Sequence, residues 1–427
     1  MNRTAIAGIK GRRVWDSRGF PTVEAEIRLV GGSVGRAIAP SGASTGSGEA
    51  VDRRDGGERL AGADVRGALA AVDGEIARAL SGADAADQNS IDRRLIDLDG
   101  TPDKSRLGAN ATIAVSMAAA HAAAAALELP LWRYFGGSRA SRLPLPEIQI
   151  FGGGAHAARR VDLQDFMVIP VGAASFVEAL EWTAEVYRAA HRLMADSGRL
   201  AGVADEGGFW PAFDSNEQAI ETLLRAVERA GFAPREQVAI SLDIAASQFG
   251  RNGRYRLSRE DREIDGDGLT ELLLGWLKRY PIVSIEDPLA ENDARGLARF
   301  TEAAGPRVQV VGDDFLVTNA ARIERAAKMK ACNAALIKPN QAGTLSETNA
   351  AFLAARRAGW GAIVSARSGE SEDVTIVHLA VGWGAKQLKV GSFARSERMA
   401  KWNEGVRIAD ALGGDGPLPP RDEFPWG

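Results

Sequence analysis

VQVVGDDFLVTNAARIERAAKMKACNAALIKPNQAGT, residues 308–344, reads in order as strand, loop, helix and strand. An apolar run (Val308, Val310, Val311) stops at Gly312 and two carboxylates, Asp313 and Asp314. Ile323, Ala326 and Ala327 then recur at helical spacing, and a second apolar run, 334–337, stops at Lys338. Apolar strands alternating with helices predict a parallel sheet covered by helices. In such sheets the residues just beyond the strand ends line the ligand crevice. An acid and a lysine are therefore expected at neighbouring strand ends over one pocket.

The same unit repeats outward from this stretch. Further apolar runs lie at 164–170, 237–243, 282–286, 362–365 and 387–389. Successive steps from Glu286 to Asp313, Lys338, Ser365 and Lys389 are 27, 25, 27 and 24 positions. A strand, a helix and two loops need about that length, roughly 250 residues for eight units. This predicts a β/α barrel within residues 140–427, with its site at the C-terminal strand ends. Upstream, residues 22–27 alternate as a half-buried strand, and 63–82, 89–97 and 109–128 carry helical patterns. Strands followed by helices predict a separate α+β domain over residues 1–135. Within it, residues 39–49 (APSGASTGSGE) are small, polar and rich in glycine. Such a loop suits a lid that bends at its glycines as well as a plain linker.

The 427 residues are 45% hydrophobic and 25% charged, ordinary values for a globular protein with a large core. A formal net charge of -4 gives no electrostatic reason to expect nucleic acid or an anionic membrane as partner. The single cysteine, Cys332, excludes an internal disulfide and a cysteine-based zinc cage. It lies between a charged helix and an apolar strand and reads as a packing residue. MNRTAIAGIKGRR at the start has no apolar core of a signal peptide, and the alanine run at 116–129 is short for a membrane span. A cytoplasmic location is expected.

Three carboxylates end strand runs: Asp243, Glu286 and Asp313. One such acid is more simply a helix cap or an ion-pair partner. Three together favour a shared hard cation, and Mg²⁺ prefers an octahedral oxygen shell of this kind. Lys338 and Lys389 also end apolar runs, where an unpaired ammonium is costly. Beside a metal ion and a second ammonium a lysine pKa falls, so such a lysine serves as a general base near neutral pH. Glu206 precedes a glycine pair in ADEGGF (204–209), Asp165 interrupts an apolar run, and His156 sits in the glycine loop 152–156. His121, His191 and His378 fall in helical patterns and read as structural. Arg367 and Ser368, past a strand end, suit an oxyanion such as phosphate.

Nine motifs in chain order resemble the enolase family: DSRG (16–19), PSGASTG (40–46), LGAN (107–110), DEGGF (205–209), SIEDP (284–288), VVGDD (310–314), KPNQAGT (338–344), SGESED (368–373) and RSER (395–398). The resemblance spans almost the whole chain. It implies an N-terminal α+β domain, an enolase-type modified (β/α)8 barrel, two Mg²⁺ per active site and at least a homodimer. The implied substrate is a small phosphorylated or phosphonylated carboxylic acid that loses water after removal of the proton next to its carboxylate. By the same resemblance Asp243, Glu286 and Asp313 hold the tighter Mg²⁺, and Ser41 is the lid serine at the second. Lys338 is the base, Lys389 binds the substrate carboxylate, and Glu206 acts on the departing hydroxyl. Arg367 and Ser368 clamp the phosphate, His156 is the mobile-loop histidine, and Gln164 a pocket glutamine. Asp165 stands where the family has a catalytic glutamate.

The departures from the family pattern cluster. Ala366 replaces a histidine, Asp165 shortens the glutamate, and Gly152-Gly153-Gly154-Ala155-His156 replaces asparagine-Gly-Gly-Ser-His and runs on to Arg159 and Arg160. Phe20 follows DSRG in place of asparagine, and Ala342 replaces an isoleucine. The proton-abstracting half is intact, whereas the acid side and the loop near the phosphate are altered. A glycolytic enolase, an enolase-like enzyme of phosphonate natural-product pathways and a non-catalytic scaffold are the three readings. Retention of the metal acids and both lysines argues against the scaffold. Alanine for histidine enlarges the pocket, which favours a bulkier acid, whose added charge Arg159 or Arg160 is placed to meet.

Overall fold

The computed structural model describes residues 2–427. Strands β1 (Ile6–Trp15), β2 (Pro21–Leu29) and β3 (Val34–Ile38) form an antiparallel sheet in that order. The turn after β1 is built by Asp16, whose Oδ1 accepts the N–H groups of Arg18 and Phe20 at 2.9 Å each. Val23, Ala25, Ile27 and Leu29 of β2 are buried against the Ala109–Ala126 helix. Alanine suits that helix because the backbones nearly touch: a Cβ on Gly35 would lie 2.1 Å from Ala122 N. The helix is long and apolar enough by composition to cross a membrane, yet 83% of it is buried in this domain. It is the core helix of the N-terminal unit.

The barrel is closed by eight strands. They are β4 (Leu145–Gly152), β5 (Asp165–Ile169) and β6 (Ala239–Asp243), then β10 (Ile282–Glu286), β11 (Gln309–Gly312), β12 (Ala334–Ile337), β13 (Gly361–Ser365) and β14 (Gln387–Ser392). Three short strands, β7 (Gly250–Arg251), β8 (Arg254–Leu257) and β9 (Arg262–Asp265), form a separate small sheet between β6 and β10. The expected all-parallel sheet is corrected at one strand, because β5 pairs antiparallel with both β4 and β6. The connection 153–164 holds only a single turn of helix, whereas parallel neighbours are usually joined through a full crossover helix. Two helices, Phe176–Asp196 and Asn216–Arg229, follow instead between β5 and β6. The reversal has a consequence for function. It brings the start of β5, with Gln164 and Asp165, to the rim where the other strands end.

Polarity is layered down the barrel. Phe424 and Trp426 pack with Leu145, Ile169, Val171, Ala239 and Val283 and plug its lower end. Above them Ser284 and Gln387 hydrogen-bond Gln309, satisfying polar groups that burial would otherwise penalise. The acids and lysines lie at the upper rim. Helices between strands start where expected: Asn319 accepts the N–H of Arg322 at 3.0 Å, and Thr344 that of Glu347 at 3.3 Å. Such caps are worth about 1 kcal/mol each. Cys332 is buried beside β11 and burial pushes its thiol pKa well up, in keeping with a packing residue.

His378, on the Thr375–Trp383 helix, faces Glu404 at 3.3 Å while its Nδ1 has no partner. Burial pushes the imidazole pKa down to about 4. The fold therefore holds the neutral ring. Its stabilisation is complete above pH 6.5 and is lost as pH falls toward 4. His378→Gln is expected to remove up to about 3 kcal/mol of the acid-induced loss across that window, read from urea midpoints. Equal pH slopes in both proteins would place the acid sensitivity elsewhere.

Candidate active site

Asp313 is set in place by its neighbour in space. Asp287, in a left-handed conformation at φ 40, accepts the Asp313 N–H at 2.9 Å on one oxygen and the Asp314 N–H at 2.7 Å on the other. One strand on, Lys338 donates its backbone N–H to Thr318 Oγ1 at 2.9 Å, and Pro339 starts a single helical turn. Lys338 Nζ then lies 2.5 Å from Asp313 Oδ2, while Gln341 Nε2 donates to the other oxygen at 3.0 Å. Lys389, within β14, stands 2.9 Å from both Asp243 and Glu286 and 3.4 Å from Asp165. The acids and lysines expected at the strand ends are brought together at one rim.

Their charges interact strongly because all are buried. Burial disfavours the Lys338 ammonium, but Asp313 and Glu286 together hold the pKa above the usual lysine value. Burial likewise opposes Lys389, and Asp243 and Glu286 hold it well above. Each ammonium is the counter-charge of the acids beside it, and its pKa can fall only when another cation takes up that role. Burial would raise Asp313, yet Lys338 keeps it below the carboxylate range. Burial and then Asp243 push Glu286 well up.

Glu286 also keeps one buried oxygen, Oε1, without any partner. That orphan oxygen and an all-carboxylate donor set fit a hard divalent cation, with Asp243, Glu286 and Asp313 as the residues that would hold it. Asp287, Asp313 and Asp314 also bring oxygens within 4.8 Å of one another. Both oxygens of Asp287 are already spent on backbone N–H groups, so it braces the strand end.

Across the rim His156 stands between two acids, with Nδ1 3.4 Å from Asp165 Oδ1 and Nε2 3.6 Å from Glu206 Oε1. Burial would lower its pKa, but Glu206 and Asp165 raise it above the usual value. Burial would raise Asp165, and Lys389 and His156 hold it well below the carboxylate range. Gln164 donates to Asp243 at 2.9 Å. His156, Gln164, Asp165, Glu206, Lys338, Lys389, Arg367, Ser368 and Ala366 line one cavity of about 20 Å³. Ala366 is buried, its N–H donated to Lys389 O at 2.9 Å.

The glycine-rich loop closes over this cavity. Gly42 packs against the Arg367 guanidinium so closely that a Cβ there would lie 1.9 Å from Nη2. Ala43 donates its N–H to Ser368 Oγ at 2.6 Å, and Arg367 pairs with Glu49 at 2.9 Å. The serine that reaches the cavity wall is Ser44, 3.4 Å from Gln164 Oε1. Ser41 Oγ instead accepts from Arg54 at 2.8 Å and donates to Asp52 at 3.2 Å. The lid hydroxyl assigned to Ser41 from the sequence is therefore reassigned to Ser44. Arg159 and Arg160 do not line the cavity, and Arg159 is exposed.

The RSER and DSRG motifs act from behind. Arg398 donates to the carbonyls of Arg367 and Ser368 at 2.7 and 2.6 Å, and Ser17 donates its N–H to Glu370 O at 2.7 Å. Residues that sequence reasoning passed over include Asp287, Gln341 and Glu49, which lie in or beside recognised motifs. Gln149 and Glu147 on β4 had no such signal. Glu147 accepts from Ser241 Oγ at 2.5 Å, keeps Oε2 unpartnered, and is pushed up in pKa by burial.

A barrel with acids and lysines along one rim, capped by a loop from a preceding α+β unit, defines a β/α-barrel protein with its candidate site at the strand ends. Residues 6–135 match the family model described as enolase, N-terminal domain, and residues 140–423 match enolase, C-terminal TIM barrel domain. The chain belongs to the enolase family.

Titration with Mg²⁺ is expected to raise the melting temperature, by about 2.7 kcal/mol of stabilisation at 100 times Kd. Glu286→Gln, which removes charge at the orphan oxygen, is expected to abolish most of that rise. A shift as large in the variant as in the parent would move the ion elsewhere.

Proposed function

We propose that this protein is a Mg²⁺-dependent carbon–oxygen lyase. It removes the proton next to the carboxylate of a 2-phosphoglycerate-like acid and eliminates water to leave an enolpyruvate product. The observation that carries this reading is one cavity lined by a lysine paired to the metal acids, Lys338, and by a carboxylate on the far loop, Glu206. Proton removal there needs a base, and hydroxide departure needs an acid.

When bound, Mg²⁺ supplies positive charge to the substrate carboxylate, where negative charge gathers as the proton leaves. Lys338, relieved of its pairing with Asp313, first gives up its own ammonium proton to solvent and then, as the neutral amine, accepts the substrate proton at Nζ. Lys389 holds the carboxylate through its ammonium. The C–H electron pair becomes the new double bond, and the hydroxyl on the next carbon leaves as water with a proton from Glu206. His156 and Asp165 hold Glu206 and exclude bulk water. Arg367 and Ser368 clamp the phosphorus oxyanions once Glu49 yields its place. The lysine–Mg²⁺ pairing is a general feature of enolase-superfamily sites.

We further propose that the substrate is bulkier than 2-phosphoglycerate, a phosphonate analogue of the type handled by carboxyphosphonoenolpyruvate synthase in phosphonate biosynthesis. Support comes from the position of Ala366, between Ser365 and Arg367 in the cavity wall, where a family histidine is missing. The intact metal acids and lysines support the alternative, a glycolytic enolase. With Mg²⁺ and 2-phosphoglycerate, phosphoenolpyruvate absorbance is expected to rise far more slowly than kcat values of about 1–10³ s⁻¹ typical of enzymes. Ala366→His is expected to increase that turnover at least about tenfold, or ~1.4 kcal/mol of barrier. Turnover in the enzyme range by the unmodified protein would favour the glycolytic reading. No gain on restoring the histidine would remove Ala366 as the determinant.

A further inference from the structure

We propose that Gln149 is a positioning residue for the acid side of the site, making the short Asp165 carboxylate usable. Gln149 lies on β4, is fully buried and spans two elements with one amide. Its Nε2 donates to Asp165 Oδ1, and its Oε1 accepts the N–H of Gly208 at 2.8 Å. Gly208 is two residues beyond Glu206. The glutamine therefore ties the acid that starts β5 to the loop that carries Glu206. His156 closes the circuit, 3.4 Å from Asp165 and 3.6 Å from Glu206.

The space for this amide is cleared by glycines. A Cβ at residue 208 would lie 2.4 Å from Gln149 Oε1. One at residue 152 would lie 3.2 Å from that oxygen and 2.8 Å from Ala204 Cβ. Gly152 and Asp165 are two of the positions at which this chain departs from its family, and Gln149 joins them physically. The glycine opens the slot, the long amide reaches through it, and the short acid ends where the amide can hold it. A glutamate at 165 would drive its extra methylene into Nε2.

The test is exchange of that methylene between the two side chains. Asp165→Glu and Gln149→Asn, separately, are expected to lower kcat for water elimination at least tenfold with little change in KM. The double variant Asp165→Glu/Gln149→Asn is expected to return to within about threefold of the parent. The imidazole ¹⁵N resonances of His156, one of four histidines, are expected to move in each single variant and return in the double. Losses that multiply in the double variant, with His156 resonances that do not return, would overturn the proposal. If Asp165→Glu does not fold alone, Gln149→Leu removes both hydrogen bonds at similar size and must displace the same resonances. The kinetic arm rests on the proposed function, whereas the resonances need no substrate. Inertness toward every acid offered would count against that function while the His156 spectrum still decides the role of Gln149.

Discussion

Two buried ammonium groups are each paired with buried carboxylates at the upper rim of the barrel, and much of the site depends on that pairing. Charges removed from water are tolerated only when paired and hydrogen-bonded. Lys338 answers Asp313, and Lys389 answers Asp243, Glu286 and Asp165. The same pairing sets the chemistry. An ammonium held by acids is a poor base, so the base role proposed for Lys338 requires that the acids turn to another cation. In the proposed mechanism the acids that would hold the metal therefore also determine when the lysine can accept a proton.

The lid applies the same logic to the anion side. Arg367 is fully engaged by Glu49, Asn340 and the Ser44 carbonyl, and a cavity of about 20 Å³ leaves room for little beyond a water molecule. Under the proposed function a substrate oxyanion would compete directly with Glu49 for the guanidinium. Glycines at 42 and 46 are what allow the loop to lie so close to Arg367 and Asp314. Behind this surface Arg398 and the turn at Asp16–Gly19 hold the strand-end loop through hydrogen bonds to its carbonyls.

Much of this was legible in the sequence because it is periodic. Evenly spaced apolar runs ending in charged residues gave away the barrel and its rim, and Asp313 and Lys338 meet as their spacing implied. The reversal of β5 was not legible, since an apolar strand reads the same in either direction and only the short connection before it decides. β4 escaped notice for a different reason. Glu147 and Gln149 interrupt its apolar pattern as if they faced solvent, whereas they point into a polar barrel interior. Between Ser41 and Ser44, three residues apart in one loop, no sequence argument could choose; the turn of the loop sends one hydroxyl to Arg54 and the other to the cavity.

The central claim is that Lys338 takes the proton beside the substrate carboxylate once Mg²⁺ is bound. It is tested most directly by deuterium incorporation at that carbon, followed by NMR in ²H₂O with Mg²⁺ and either 2-phosphoglycerate or its phosphonate analogue. The account predicts exchange in the unmodified protein with at least one of these acids, and none above background in Lys338→Ala. Exchange that persists without the Lys338 side chain, or that is absent from the unmodified protein with both acids, would contradict it.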